Sequence, residues 1–240
     1  MGMRNVSTVA RRELGTYVFS PSSYVIAAMF VAASGLWFFL RVFVPGGDST
    51  LRSLFEQVAV AMIFVAPLLT MRLISEEFRS GTIETLMTAP VTEVEVIVGK
   101  FLGVLWFYAM VLLATVVYLL LMVAYGSPDW GVVAMGYLGL LLLGAAFLAV
   151  GMFTSSVTRH QLLAALLGVA ILGAFTGLMT LGASYAPDPF NHLAKRLNAL
   201  NYFTDFARGT LDTAGVVFFL SATLFFLFLS IKALESRRWL

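Results

Sequence analysis

The sequence predicts an all-α integral membrane protein, and three observations support this class. Hydrophobic residues make up 60% of the 240-residue chain and charged residues only 12%, about half of the ~25% found in soluble domains. The chain contains long charge-free runs that, with their flanking residues, approach the ~20 apolar residues a spanning helix needs. These runs do not alternate apolar and polar residues, as the ~10-residue strands of a membrane β-barrel would.

These hydrophobic runs predict six spanning helices in a single transmembrane domain over residues 1–240. The spans cover residues 21–44, 54–74, 93–125, 130–155, 161–185 and 213–233. Thr92 and Glu95 have the spacing of a capping box, with Val91 and Val96 placed as a hydrophobic staple. The third span is therefore expected to begin in the cytoplasm, before it reaches the membrane surface.

Residues 3–20 have the pattern of an amphipathic helix. Apolar residues recur at helical spacing from Val6 to Val18, and Arg4, Arg11 and Arg12 take the opposite face. This pattern predicts an interfacial helix on the cytoplasmic leaflet, with a frayed terminus as the alternative. A cleaved signal peptide is a second alternative, but the following run is long enough to span and an amphipathic stretch precedes it.

The distribution of lysine and arginine predicts the orientation. With both termini inside, ten of these residues lie on the inner side and five on the outer side. This bias favours cytoplasmic termini in the inner membrane. Residues 185–212 then lie outside; they are too polar to span and too long for a turn. They predict an outer helical element, either re-entrant or lying on the membrane surface.

The sequence carries none of the usual catalytic, cofactor-binding or metal-binding patterns. It has no cysteine and only two histidines, His160 and His192, in predicted loops. The ATP-binding motif G-x-x-x-x-G-K-[ST] is absent. A net charge of +2 is too small to indicate a nucleic-acid partner. Gly99 and Gly103, and likewise Gly173 and Gly177, have the small-residue spacing that allows close helix approach. Gly173 and Gly177 are the candidates for packing between protomers.

Charged residues are concentrated in the segment between the second and third spans. Residues 72–100 contain eight charged side chains between two hydrophobic stretches. The run from Glu76 to Val91 resembles the cytoplasmic motif of ABC-2-type transporter permeases. The N-terminal Phe19-Ser20-Pro21-x-x-Tyr24, the six spans and the outer element extend this resemblance over nearly the whole chain. Asn201–Asp212 and the ending Leu234–Trp239 look most like the gliding-motility type of this family.

The resemblance implies that residues 75–91 form a coupling segment with a short helix, Thr82–Ala89, that docks on a separate ATPase subunit, which would bind ATP and Mg²⁺ itself. The residues implied in docking are Glu76, Glu77, Arg79, Gly81, Thr82, Ile83, Glu84, Leu86, Met87 and Pro90. Gly81 permits a sharp entry, Thr82 can cap the helix, and Pro90 ends it. A solvated connector is the alternative reading of this segment.

Three functions remain open from the sequence. The first is a permease half that works with a second half, identical or related. The second is a transmitter that passes the state of the ATPase to an outer partner, such as a membrane-anchored protein with a large periplasmic domain, without moving a solute. The third is a membrane scaffold without an ATPase. Phe203, Asp205, Phe206 and Arg208 of the outer element are expected to contact an outer partner or form a gate.

Overall fold

The structure is a computed structural model that describes residues 2–42, 50–81, 92–125, 128–185 and 190–236. Every regular element in these residues is helical. The helices are α1 Gly2–Phe19, α2 Pro21–Trp37, α3 Arg52–Thr70, α4 Ser75–Ser80, α5 Glu93–Ala114, α6 Val116–Tyr125, α7 Trp130–Val157, α8 Gln161–Tyr185, α9 Phe190–Leu197, α10 Ala199–Ala207 and α11 Thr213–Ser236. A π-helical turn, Phe38–Val42, continues α2.

Six of these segments are long and apolar enough to cross a bilayer, which confirms the predicted fold class. They are α2 with its π-helical turn, α3 continuing to α4, α5 with α6, α7, α8 and α11. The third is the longest, at 33 residues. At ~1.5 Å per residue it measures roughly 50 Å, well beyond the ~30 Å hydrocarbon core. One end of it must therefore project from the hydrocarbon.

Helix α7 lies at the centre of the bundle and contacts α3, α5, α8, α10 and α11. Glycines of α7 make this close packing possible, because large side chains of neighbouring helices occupy the space that a Cβ atom would need. A methyl group at Gly144 would lie 2.2 Å from the Tyr108 ring of α5, and one at Gly136 would lie 2.3 Å from the Phe55 ring of α3. The fit is possible only with glycine at these positions.

Helix α1 runs beside the beginning of α5, in the same direction. Three contacts define this alignment: Asn5 to Glu95, Glu13 to Lys100, and Tyr17 stacked on Phe107 with ring centroids 5.1 Å apart. Part of the apolar face expected on the bilayer therefore contacts α5 instead. The position of α1 on the inner leaflet stays a prediction.

Gly99 and Gly103 of α5 form the surface on which α1 rests. A methyl group at Gly99 would lie 2.7 Å from the Val9 side chain, and one at Gly103 would lie 2.7 Å from Cβ of Glu13. The small-residue spacing noted in the sequence thus brings these two helices into close contact within one chain.

Helices α9 and α10 occupy the end of the bundle opposite α4, and the structure corrects one expectation there. Phe203 and Phe206 do not face outward; they are 1% and 0% exposed. Phe206 fills the space above Gly139 of α7 and Gly215 of α11, because neither glycine has a side chain to exclude it. The apolar side of this element belongs to the core of the chain.

Candidate functional site

The described part of the predicted coupling segment is helix α4 and the glycine that ends it. Gly81 has a φ of +72°, a left-handed conformation that glycine adopts without strain. This conformation is compatible with the sharp entry expected at Gly81, and that entry itself stays a prediction. The predicted residues that follow it, Thr82, Ile83, Glu84, Leu86, Met87 and Pro90, lie outside the described residues.

The helix is interrupted between α3 and α4, and Ser155 of α7 forms hydrogen bonds with the backbone at the interruption. The backbone N–H groups of Ile74 and Ser75 each donate to Oγ of Ser155 at 3.1 Å. Ser155 Oγ in turn donates to the carbonyl of Met71 at 3.2 Å. Ser75 Oγ donates to the same carbonyl. One hydroxyl of the central helix therefore satisfies backbone groups that the interrupted helix leaves without partners.

Lys100 joins three helices at the same end of the bundle. Its ammonium lies 3.0 Å from a carboxylate oxygen of Glu13 on α1 and 3.0 Å from one of Glu77 on α4. The three side chains are 8%, 14% and 23% exposed. Burial of charges this deep is favourable only when they are paired. We call Glu13, Glu77 and Lys100 the three-helix ion cluster.

A second set of hydrogen bonds fixes the start of α5. Thr92 Oγ1 accepts from the Glu95 amide at 3.3 Å, and the Thr92 amide donates to Glu95 Oε2 at 2.9 Å. These bonds confirm the predicted capping box. The side-chain Nδ2 of Asn5 also donates to both oxygens of the Glu95 carboxylate, each at 3.3 Å. The cap of α5 is thereby linked to α1.

Tyr17 and Arg72 complete the framework near the start of the first span. The Tyr17 hydroxyl donates to the Leu69 carbonyl of α3 at 2.5 Å, and Arg72 Nη2 donates to Ser20 Oγ at 3.1 Å. Burial, and secondarily the Glu13 carboxylate, raise the pKa of Tyr17 well above its usual range. The hydroxyl therefore stays protonated and keeps its role as a donor.

These side chains surround a cavity of about 700 Å³ between α1, α4 and α5. Its charged lining consists of Arg12, Glu13, Arg72, Glu76, Glu77 and Lys100. We call it the charged cavity. Glu77 has one oxygen on Lys100, while its other oxygen, Oε2, is buried without a hydrogen-bond partner in the described part of the chain.

The structure separates the described residues that were expected to dock a partner. Glu76 and Arg79 are exposed, as a docking role requires. Glu77 is instead directed at Lys100, so its charge is used within the chain. The helix expected from the sequence, Thr82–Ala89, lies outside the described residues, and neither α4 nor the inward direction of the Glu77 carboxylate was predicted.

The outer element keeps one exposed polar pair. Asp205 Oδ1 and Arg208 Nη1 lie 3.7 Å apart, with side chains 42% and 55% exposed. Asn198 caps α10 by accepting from the Leu200 amide at 3.0 Å, and donates to Thr180 Oγ1 of α8 at 3.1 Å. The element is therefore attached to the bundle, and the side chains of Asp205 and Arg208 are exposed at its surface.

Gly173 and Gly177 are not used for packing within the described chain. The nearest atom to a methyl group built at Gly173 lies 3.9 Å away, on Ile63, and nothing lies within 4 Å of one at Gly177. Neighbouring apolar side chains of α8 are exposed as well, among them Phe175, Leu178 and Leu181. This face of α8 is open to lipid or to another copy of the chain.

Sequence reasoning missed Glu13, Lys100 and Ser155 as site residues. A signal was present for the first two: Glu13 is the only acidic residue of α1, and Lys100 lies between Gly99 and Gly103. Ser155 gave no such signal, since one serine near the end of a span is ordinary. In the described part of the chain, no group of three or more metal-ligating side chains comes together. The three-helix ion cluster connects α4 to α1 and α5.

Comparison with known families gives a match that covers residues 7–234. The matching family is described as ABC-2 family transporter protein. No curated protein matches the chain.

Proposed function

The chain belongs to the ABC-2 transporter family, and on that premise we propose that it is the permease subunit through which a separate ATPase subunit drives movement across the membrane. In this proposal the ATPase binds ATP and Mg²⁺, and the segment 75–91 docks on it. The result of hydrolysis is export or conformational work. This chain supplies no catalytic residue of its own.

The three-helix ion cluster is the observation that carries the proposal. A displacement of α4 cannot remain local, because Glu77 is paired with Lys100 of α5, and Lys100 with Glu13 of α1. The same displacement reaches the central helix through Ser155. A docking event at α4 would thus move the third span, the N-terminal helix and α7 together. A solvated connector would need none of these contacts.

The orientation that fits this role places the α4 end and both termini in the cytoplasm, with the chain in the inner membrane. The excess of lysine and arginine at this end supports that orientation. The outer element then faces the opposite compartment. Two permease halves, identical or related, would form the path, with Gly173 and Gly177 on the contacting face of α8.

The experiment that tests the proposal is copurification of the chain with an ABC ATPase subunit. Leu86→Asp and Glu84→Lys should each lower ATPase recovery while the chain still inserts into the membrane. Leu211→Asp is the matched control, because Leu211 is 56% exposed at the opposite end of the bundle. ATPase recovery that is unchanged by both docking variants would contradict the proposal.

A second function is the transmission of ATPase state to an outer partner without solute transport, and one observation favours it. Among the residues whose burial the structure describes, Lys100 is the one buried charged side chain, and it lies near the start of its span. A polar path for an ion or a hydrophilic solute is therefore missing from the described residues. The resemblance to the gliding-motility type is compatible with this mode. Transport assays in vesicles, compared with recovery of an outer partner, separate the two functions.

A further inference from the structure

We propose that the charged cavity binds the headgroup of a phospholipid that carries both a phosphate and a primary ammonium group, as phosphatidylethanolamine does. This site goes beyond the proposed function, since its ligand is neither an ATPase nor a second permease half. The cavity volume of about 700 Å³ lies within the ~300–1,000 Å³ of small-molecule sites.

The depth of the cavity matches the headgroup layer of a bilayer. Trp106 and Tyr125, at 64% and 76% exposure, mark the lipid-facing ends of the third span. They are 19 positions apart, roughly 28 Å, close to the ~30 Å of the hydrocarbon core, and such aromatics gather at both interfaces. Lys100 is six positions before Trp106, about 9 Å outside the hydrocarbon. That is the level of lipid headgroups.

The cationic part of the cavity suits a phosphate. Arg12 and Arg72 both line it, and within the described residues neither has a carboxylate within ion-pair distance. Arg72 uses one N–H group on Ser20, which leaves other donors for a ligand. Guanidinium groups match the oxygens of a phosphate better than an ammonium does. Phe19, next to Ser20, is 87% exposed and offers an apolar surface to the acyl chains.

The carboxylates of the cavity favour a lipid whose headgroup also carries a primary ammonium group. Three cations and three carboxylates line it, so its formal charge is zero. Lys100 neutralises one of the two negative charges of Glu13 and Glu77. Within the described residues, Glu77 Oε2 has no hydrogen-bond partner and Glu76 makes no ion pair. A primary ammonium donates hydrogen bonds to such oxygens. A choline group cannot donate, and a purely anionic lipid would leave these carboxylates without a cation.

Native mass spectrometry of the full chain in detergent tests the site with three lipids at equal concentration. Phosphatidylethanolamine is expected to bind about tenfold more tightly than phosphatidylglycerol or phosphatidylcholine. The double variant Arg12→Gln and Arg72→Gln should lose about tenfold in affinity for phosphatidylethanolamine. Glu76→Gln should reduce the preference over phosphatidylglycerol. Arg11→Gln, which removes a neighbouring exposed guanidinium outside the cavity, should change neither.

Competition identifies the source of the phosphate. Glycerophosphoethanolamine should displace the lipid, and inorganic phosphate at the same concentration should not; equal competition by inorganic phosphate would make this a free-anion site and overturn the proposal. Equal binding of all three lipids would overturn it as well. So would protection of Arg12 and Arg72 from chemical modification only when an ATPase is bound, since the cavity would then be a protein contact. If the double variant fails to fold, the two single variants take its place.

Discussion

The ammonium of Lys100 lies 3.0 Å from a carboxylate oxygen of Glu13, a residue 87 positions earlier in the chain. Glu77 contacts the same ammonium at 3.0 Å from a third helix. The lysine thus connects the N-terminal helix, the described start of the coupling segment and the third span.

Lys100→Met should destabilise the chain by about 3–5 kcal/mol, because it leaves Glu13 and Glu77 close together without a cation. The free energy of unfolding, measured by denaturant titration in detergent micelles, checks this. Lys232→Met is the matched control: its pair with Glu235 is 55% and 38% exposed, and such pairs contribute only about 0–1 kcal/mol. Equal losses from the two variants would show that the three-helix ion cluster has no special role.

Ser155→Ala should weaken the connection between α4 and α7 without preventing ATPase docking. It removes the acceptor of the Ile74 and Ser75 amides, and each unsatisfied amide costs about 1–3 kcal/mol. We expect ATPase recovery to persist while stimulation of ATP hydrolysis by the permease falls. Ser155→Thr keeps the hydroxyl and should retain more of the stimulation. Normal stimulation in the alanine variant would exclude a transmitting role for Ser155.

Gly144→Ala should destabilise the bundle by about 1–3 kcal/mol or more, because the added methyl group would meet the Tyr108 ring at 2.2 Å. Thermal unfolding in detergent measures the effect. Gly15→Ala is the control, since nothing lies within 4 Å of a methyl group there. That variant should be neutral or more stable by up to about 1 kcal/mol, given the higher helix propensity of alanine. Similar unfolding temperatures for both variants would contradict the close packing of α7.

Phe206→Ala should destabilise the chain by about 3–5 kcal/mol, as expected for a fully buried phenylalanine. Any loss of an outer partner in that variant would follow from the damaged fold. Asp205→Ala combined with Arg208→Ala should leave stability nearly unchanged, because this exposed pair contributes about 0–1 kcal/mol. Recovery of the outer partner should nevertheless fall. Full recovery would leave the exposed pair without a role in recognition.

Cysteines placed at Gly173 and Gly177 should cross-link between two copies of the chain, which has no native cysteine to interfere. Nothing lies within 4 Å of a methyl group built at Gly177, and the nearest atom to one at Gly173 is on Ile63, 3.9 Å away. Val217→Cys is the control, as its side chain on α11 is 64% exposed but lies on a different span. Dimer formation on a denaturing gel after mild oxidation gives the result. Cross-linking at Val217 alone would move the contacting face to α11.

Sequence reasoning predicted correctly those structural features that residues close together in the chain determine. A hydrophobic run long enough to span forms a spanning helix wherever it occurs, and Thr92 and Glu95 form a capping box through bonds three residues apart.

Sequence reasoning failed where the cause is a distant contact. The three-helix ion cluster depends on α1 lying parallel to α5, and no periodicity within α1 specifies that neighbour. Phe203 and Phe206 show a related ambiguity: an apolar helical face can rest on lipid, on a partner or on the core. Both rings pack against Gly139, more than 60 positions earlier, and Phe206 also packs against Gly215; these contacts decide for the core.

The side-by-side arrangement of α1 and α5 has a consequence for the order of biosynthesis. Tyr17 stacks on Phe107, which is synthesised 90 positions later; at ~5–20 residues per second, that is a delay of roughly 5–18 s. During this interval α1 has been synthesised but α5, against which it packs, has not. The first two spans are therefore synthesised before the N-terminal helix can take its final place, and synthesis of the third span completes a contact that begins at Asn5.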